Sequence, residues 1–132
     1  MPTLISFDYA IIRVVPRVER EEFINAGVIL YCLTRRFLGA SVELDARRLQ
    51  AFAPDLDVEL VRDHLDSIPH LCAGNKAAGP IGQLPQKERF HWLVAPRSTM
   101  LQTGPVHSGL CTEPPQALEH LMQRMVRRPP VP

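Results

Sequence analysis

The residues of this chain whose types could do chemistry are gathered in one stretch, Phe90 to Cys111, FHWLVAPRSTMLQTGPVHSGLC. It contains the only Trp together with Arg97, Ser98, Thr99, Gln102, Thr103, His107 and Ser108, interrupted by Pro96, Gly104, Pro105 and Gly109. Proline narrows the backbone dihedrals and glycine widens them, so the run predicts a structured loop. A loop of this kind hangs polar side chains at the rim of a pocket, and Arg beside Ser and Thr is a donor set that holds phosphate or carboxylate. His107 would add a general acid or base. The competing reading is structural: Arg97 pairs with a carboxylate such as Glu22 or Glu88, and the hydroxyls close turns.

Other chemistries find less support. None of the five histidines, His64, His70, His91, His107 and His120, stands in an HExxH arrangement, and only His70 and Cys72 lie close together, so no metal site is expected. Cys111 or Ser98 could use His107 as a base, but no GxSxG elbow surrounds the serine. The glycines at 79 and 82 lack the preceding strand and following helix of a dinucleotide site, and no GxxxxGK[ST] occurs, so no cofactor is expected. Trp92, beside Phe90 and Leu93, reads as a core or rim residue.

Fifteen basic and fourteen acidic residues leave a net charge of +1, which provides no general field for a polyanion or an anionic membrane. Nucleic acid is therefore an unlikely partner; Arg35, Arg36, Arg47 and Arg48 are the residues that would serve it. Cys32, Cys72 and Cys111 are odd in number and widely spaced, which argues against a disulfide framework and suits a reducing cytosol. With no long uninterrupted apolar segment, a cytoplasmic protein without a membrane association is expected.

The elements that must position the loop follow from periodicity. Phe7 to Val15 is aromatic and β-branched on both alternating faces, as a strand covered on two sides requires. Arg13 is its exception. After a charged turn at Arg17–Glu22, Ile24–Leu33 and Phe37–Leu44 complete an antiparallel meander. Alternation places Asn25 and Gly27 on one face of the second strand, with a bulge the preferred explanation of the glycine. Asp45 caps a short helix, Ala46 to Phe52, with Leu49 and Phe52 inward. A second helix begins at Asp55 or Asp57, carries the stripe Val58, Val61, Leu65 and Ile68, and ends or kinks at Pro69. Residues 73–85 read as a surface loop and Gln86–Leu93 as a helix, while Ser98–Thr103 reads as a fourth strand. A final helix starts near Pro114 and buries Leu118, Leu121, Met122 and Met125.

The fold class is α+β: an antiparallel sheet of three to five strands, covered by helices on one face, in a single domain of residues 1–126 with a disordered tail at 127–132. The motifs YAIIRVVP, EFINAGVILYC, FLGASVEL and PIGQLPQKERFHWLVAPRSTMLQTGPVHSGLC, in that order, resemble the bacterial domain of unknown function 3037 from Tyr9 to about Val126. The resemblance implies a small standalone protein with no assigned activity, whose gene often neighbours that of a HipA-like kinase. It singles out Arg13, Glu22, Phe23, Asn25, Gly27, Gly39, Arg89, Trp92, Arg97, Ser98, His107 and Gly109. With the glycines assigned to bends and Phe23 and Trp92 to packing, the site candidates are Arg13, Asn25, Arg97, Ser98 and His107.

Two functions compete. The first is a non-catalytic binding or regulatory module that docks on another protein, for which the resemblance implies a HipA-like kinase, and presents an exposed apolar patch rimmed by polar residues. The second is a small enzyme or binder of a phosphorylated or carboxylated small molecule, for which Arg97 and His107 must converge in one pocket. An exposed sheet edge leaves a homodimer open.

Overall fold

The computed structural model describes residues 3–129. Strands β1 (Ile5–Val14), β2 (Ile24–Cys32) and β3 (Phe37–Val42) form the antiparallel meander. On the other side of β1, β4 (Leu101–Thr103) pairs with residues 12–14 and β5 (His107–Cys111) with residues 5–9. Three residues, 104–106, stand opposite two of β1 between these ladders, so one broken edge strand carries a bulge where Pro105 lacks a donor. The strand β5 lies inside the stretch that the sequence presents as a loop.

Because β1 alternates, its two faces feed two cores. Ile12 and Val14 join Ile29, Leu49, Val61, Leu65, Phe90 and Leu93 beneath α1 (Ala46–Phe52), α2 (Val58–Ala73) and α3 (Gln86–Leu93). These helices cover one face of the sheet, as predicted. Ile5 and Phe7 join Val28, Leu30, Cys32, Leu118, Met122 and Val126 on the other, beneath α4 (Pro114–Leu121) and the wider turn Met122–Val126. This second cover is what the apolar outer face of β1 needs. Leu49, Val61 and Leu65 are almost fully buried, and each such side chain contributes about 1.5–3 kcal/mol by leaving water.

Local chemistry sets most boundaries. The carboxylates of Asp45 and Asp57 accept from the amides of Arg48 and Leu60, starting α1 and α2 as N-caps do. Phe52 is half-exposed rather than inward. Pro69 does not stop α2, which runs on to Ala73 and ends at Gly74 with φ +73°. Proline in the last turn removes one ladder bond, while Arg89 restores partners for the helix end: its Nη1 donates to the carbonyls of Leu71 and Cys72 at 3.2 and 3.0 Å. The connection that follows is wound into two 3-10 turns, Lys76–Ala78 and Ile81–Gln83.

The register of β1 against β2 slips beside Gly27: Ile12 faces Gly27, but Arg13 faces Asn25, leaving Ala26 unpaired. The bulge expected there is present. It also corrects the simple alternation, because Asn25 and Gly27 now lie on opposite faces. A Cβ at Gly27 would come within 2.5 Å of the Ser41 carbonyl oxygen, so only glycine lets β3 approach so closely. In the last helical segment the amide of Arg127 donates to the carbonyl of Met122, a five-residue step. That wider turn buries Val126 in place of Met125, which is 38% exposed. Of the tail, residues 130–132 lie outside the described residues, whereas Arg127 pairs with Glu43 and Glu119.

Candidate functional site

After α3 the chain turns through Ala95 and Pro96, and Arg97 folds back onto the end of its own helix. Its Nη1 donates to the carbonyl of Leu93 at 3.1 Å and its Nη2 to that of Trp92, with the guanidinium 4.3 Å from the centre of the Trp92 ring. Arg97 is thus a C-cap whose positive charge sits at the negative end of the α3 dipole. No Asp or Glu lies within 4.0 Å of it among the described residues, so the predicted pairing with Glu22 or Glu88 is not made. Trp92, at 40% exposure, is a rim residue.

Arg97 and Trp92 overhang a cleft of about 210 Å³ between α2, α3 and β4. Its floor reaches the core through Ile12, Ile29 and Leu93, and Ile68, Leu71 and Leu101 form its apolar walls. Around the mouth, the hydroxyls of Thr99, Thr103 and Ser67 donate to the carbonyls of Leu101, Val94 and His64, and the Gln102 amide donates to Thr99. The loop side chains therefore rim a pocket, but their own donors are spent on holding the loop. His64 also lines the mouth, a residue that no motif in the sequence marks. Its signal was helical spacing, since positions 64, 68 and 71 fall on one face of α2.

His107 is elsewhere. It pairs with Tyr9 across β5 and β1, their rings 5.5 Å apart, on the face opposite the cleft. The structure does not bring Arg97 and His107 together. Cys111 shares β5 with His107 but is four residues away, roughly 13 Å along a strand, too far for a thiol and its base. Ser98 is exposed and does not line the cleft.

Arg13 and Asn25 do meet, as opposed residues of β1 and β2 on the α4 side. The Arg13 guanidinium lies 4.1 Å from the centre of the Phe23 ring and against Gly104, where a Cβ would come within 2.9 Å of it. Asn25 donates from Nδ2 to the carbonyl of Met125 at 3.0 Å, tying β2 to the end of the last helical segment. Arg13 Nε and Asn25 Oδ1, one donor and one acceptor, are buried without partners.

Among the described residues no group of three His, Cys, Asp or Glu is placed to hold a metal ion. His70 Nδ1 lies 2.9 Å from Asn75 Nδ2, and Cys72 is buried. Burial pushes the Cys72 thiol up to about 12, against the lowering influence of Arg89, which makes it a poor nucleophile.

A second surface lies at the open side of the sheet. Beyond β1, the outer side of β5 has no strand partner among the described residues, and its five residues carry no charged Lys, Arg, Asp or Glu. Leu110 stands opposite Ser6, and Leu33 lines the same shallow hollow as Ser6 and Asp8. With Leu4 two residues before Ser6, three leucines are exposed here, at 61, 70 and 66% for Leu4, Leu33 and Leu110. Asp8, Ser108, Lys87 and His91 rim them.

Residues 9–126 match the family model described as Protein of unknown function (DUF3037). The chain belongs to that family. The match spans every element described above except the start of β1, so it takes in the whole cleft and, of the leucine surface, Leu33 and Leu110 but not Leu4 or Ser6. Comparison of the chain with curated proteins and with solved structures finds no match in either. No helix among the described residues is long and apolar enough to cross a membrane.

Proposed function

We propose that this DUF3037 protein is a non-catalytic docking module that receives an extended segment of another protein along β5. The observation that carries the reading is the coincidence of an uncharged open strand edge with the exposed leucines 4, 33 and 110 around Ser6. Edges left open in solution are ordinarily blunted by charge, proline or a bulge. Here the proline and bulge fall at 104–106, and the five residues of β5 have no such protection. A segment adding a strand would satisfy the edge amides and carbonyls, and its apolar side chains would cover the leucines. The separation of Arg97 from His107 removes the acid–base pair that the enzymatic alternative required.

The gene neighbourhood implied by the family resemblance makes a HipA-like kinase the first partner to test. Purified kinase and wild-type protein should co-elute, with amide protection gained at residues 107–111. Leu110→Lys, which adds a charge at an exposed position, should abolish co-elution while leaving thermal unfolding unchanged. Retention of the complex by Leu110→Lys would refute the edge as the docking surface. Self-association of the protein alone, lost in the same variant, would instead assign the edge to a second copy.

A further inference from the structure

The cleft under Arg97 carries a reading independent of the docking edge. A guanidinium has five N–H donors, and the two carbonyls at the end of α3 engage two of them, leaving three. Arg97 is only partly exposed, no acidic residue lines the cleft, and no carboxylate among the described residues lies within 4.0 Å of Arg97. The charge is neutralised only by helix-end carbonyls. Beneath it the partly exposed Ile68, Leu71 and Leu101 stand above the nearly inaccessible Ile12, Ile29 and Leu93, so a bound molecule would meet apolar walls at one end and an unpaired planar cation at the other.

The mouth adds a second constraint. The Thr99, Thr103 and Ser67 hydroxyls have donated their protons to the backbone, and what they still offer is oxygen lone pairs. An anionic group has nothing to gain from those oxygens and is directed to Arg97, the only Lys or Arg of the lining, with the His64 ring, the Trp92 indole and the Gln102 amide as its other side-chain donors. A polyanion such as a phosphate ester would leave charge uncompensated there, whereas one carboxylate matches one guanidinium in both charge and planar geometry. The volume, about 210 Å³, exceeds the ~150 Å³ that accommodates a benzene ring and lies below the ~300–1,000 Å³ of drug-sized ligand pockets.

We propose that the cleft binds a small monocarboxylate with an apolar body the size of a single ring, the ring against Ile68, Leu71 and Leu101 and the carboxylate on the free N–H groups of Arg97. Benzoate is the probe, and benzyl alcohol is its uncharged counterpart. In amide-resolved NMR titrations of the wild type, benzoate should give saturable shifts at Ile12, Leu101 and the 92–99 loop, and benzyl alcohol should bind at least about tenfold more weakly. Arg97→Gln should lose the preference for the acid. Because Arg97 also caps α3, a second variant, Ile68→Trp, fills the cleft without touching the cap and should abolish the shifts. Equal binding of acid and alcohol, saturable shifts that survive Ile68→Trp, or no saturable shift with benzoate at millimolar concentration would each overturn the proposal.

Discussion

Replacing Arg89 by methionine gives the sharpest test of how this fold is held. Arg89 is 8% exposed, faces no carboxylate, and donates from Nη1 to the carbonyls of Leu71 and Cys72 at the end of α2. Hydrogen bonds from a charged donor contribute about 1.5–3 kcal/mol each, so Arg89→Met forfeits roughly 3–6 kcal/mol. Against this, Arg89 Nε is buried without a partner, a defect of about 1–3 kcal/mol that methionine removes. Methionine also needs no desolvation of a charge. At the middle of both ranges, about 4.5 less about 2, the balance before desolvation is a net loss of about 2–3 kcal/mol. For a chain of this length each kcal/mol lowers the melting temperature by roughly 3–5 °C, so a fall of roughly 6–15 °C is expected in thermal unfolding. Arg89→Lys keeps the charge but offers a single ammonium in place of the fork, and should fall between the two. The Cys72 thiol supplies a second readout, since a frayed end of α2 would expose it to alkylation before global unfolding. A methionine variant as stable as the wild type, with Cys72 still protected, would refute the reasoning: the buried charge would then cost as much as its hydrogen bonds return.

Four further outcomes are expected. Gly27→Ala places a Cβ 2.5 Å from a backbone oxygen of β3 and 2.9 Å from Ile12 Cδ1, so chemical denaturation should show a loss of at least about 2 kcal/mol; a change under about 0.5 kcal/mol would contradict the close approach of β3. A chromogenic disulfide reagent at pH 8 should label Cys111, which is only partly buried, well before Cys32 and Cys72, which should react only in denaturant. Because the Cys72 value is raised from 9.0 to about 12, folding favours the neutral thiol; its contribution to stability is complete below pH 9 and is lost as pH rises toward 12, so Cys72→Ala should flatten stability over that window. The hydrogen bond from Arg127 holds the Glu119 carboxyl below its ordinary value, so this pair stabilises above pH 4.5 and ceases to do so as pH falls below it. The difference between wild type and Arg127→Met should shrink on acidification and in high salt.

The elements legible in the sequence are those whose ends are marked by a local chemical event. Asp45 and Asp57 announce the starts of α1 and α2 because a capping carboxylate acts within three residues. The features that were not legible depend on contacts distant in sequence. In β5, Gly109 and Ser108 look like loop residues, yet Gly109 is in the sheet because a Cβ there would lie 2.7 Å from the Phe7 ring. Gly39 serves the Phe37 ring in the same way. These glycines make room for aromatic rings on the α4 side rather than serving bends. The slip at Ala26 and the wide turn at Met122–Val126 each insert one residue into a regular repeat. Every inward and outward assignment beyond them is thereby shifted, which is why Asn25 parts from Gly27 and Val126 takes the place of Met125.

The same accounting separates the candidate arginines. Arg89, Arg97 and Arg13 have one chemistry, and in each case the informative quantity is how much of the guanidinium the fold leaves unspent and whether the remainder can reach solvent. Arg89 is buried against the end of α2, and its unpartnered Nε is enclosed, so no ligand can reach it. Arg13 is laid flat between Phe23 and Gly104, and its free Nε is likewise buried. Only Arg97 combines an incomplete set of backbone partners with a position on the rim of a cleft. A motif that contributes all three to a binding site would therefore be misread: two of them hold helices and strands in place, and that placement is what leaves the third with donors to offer.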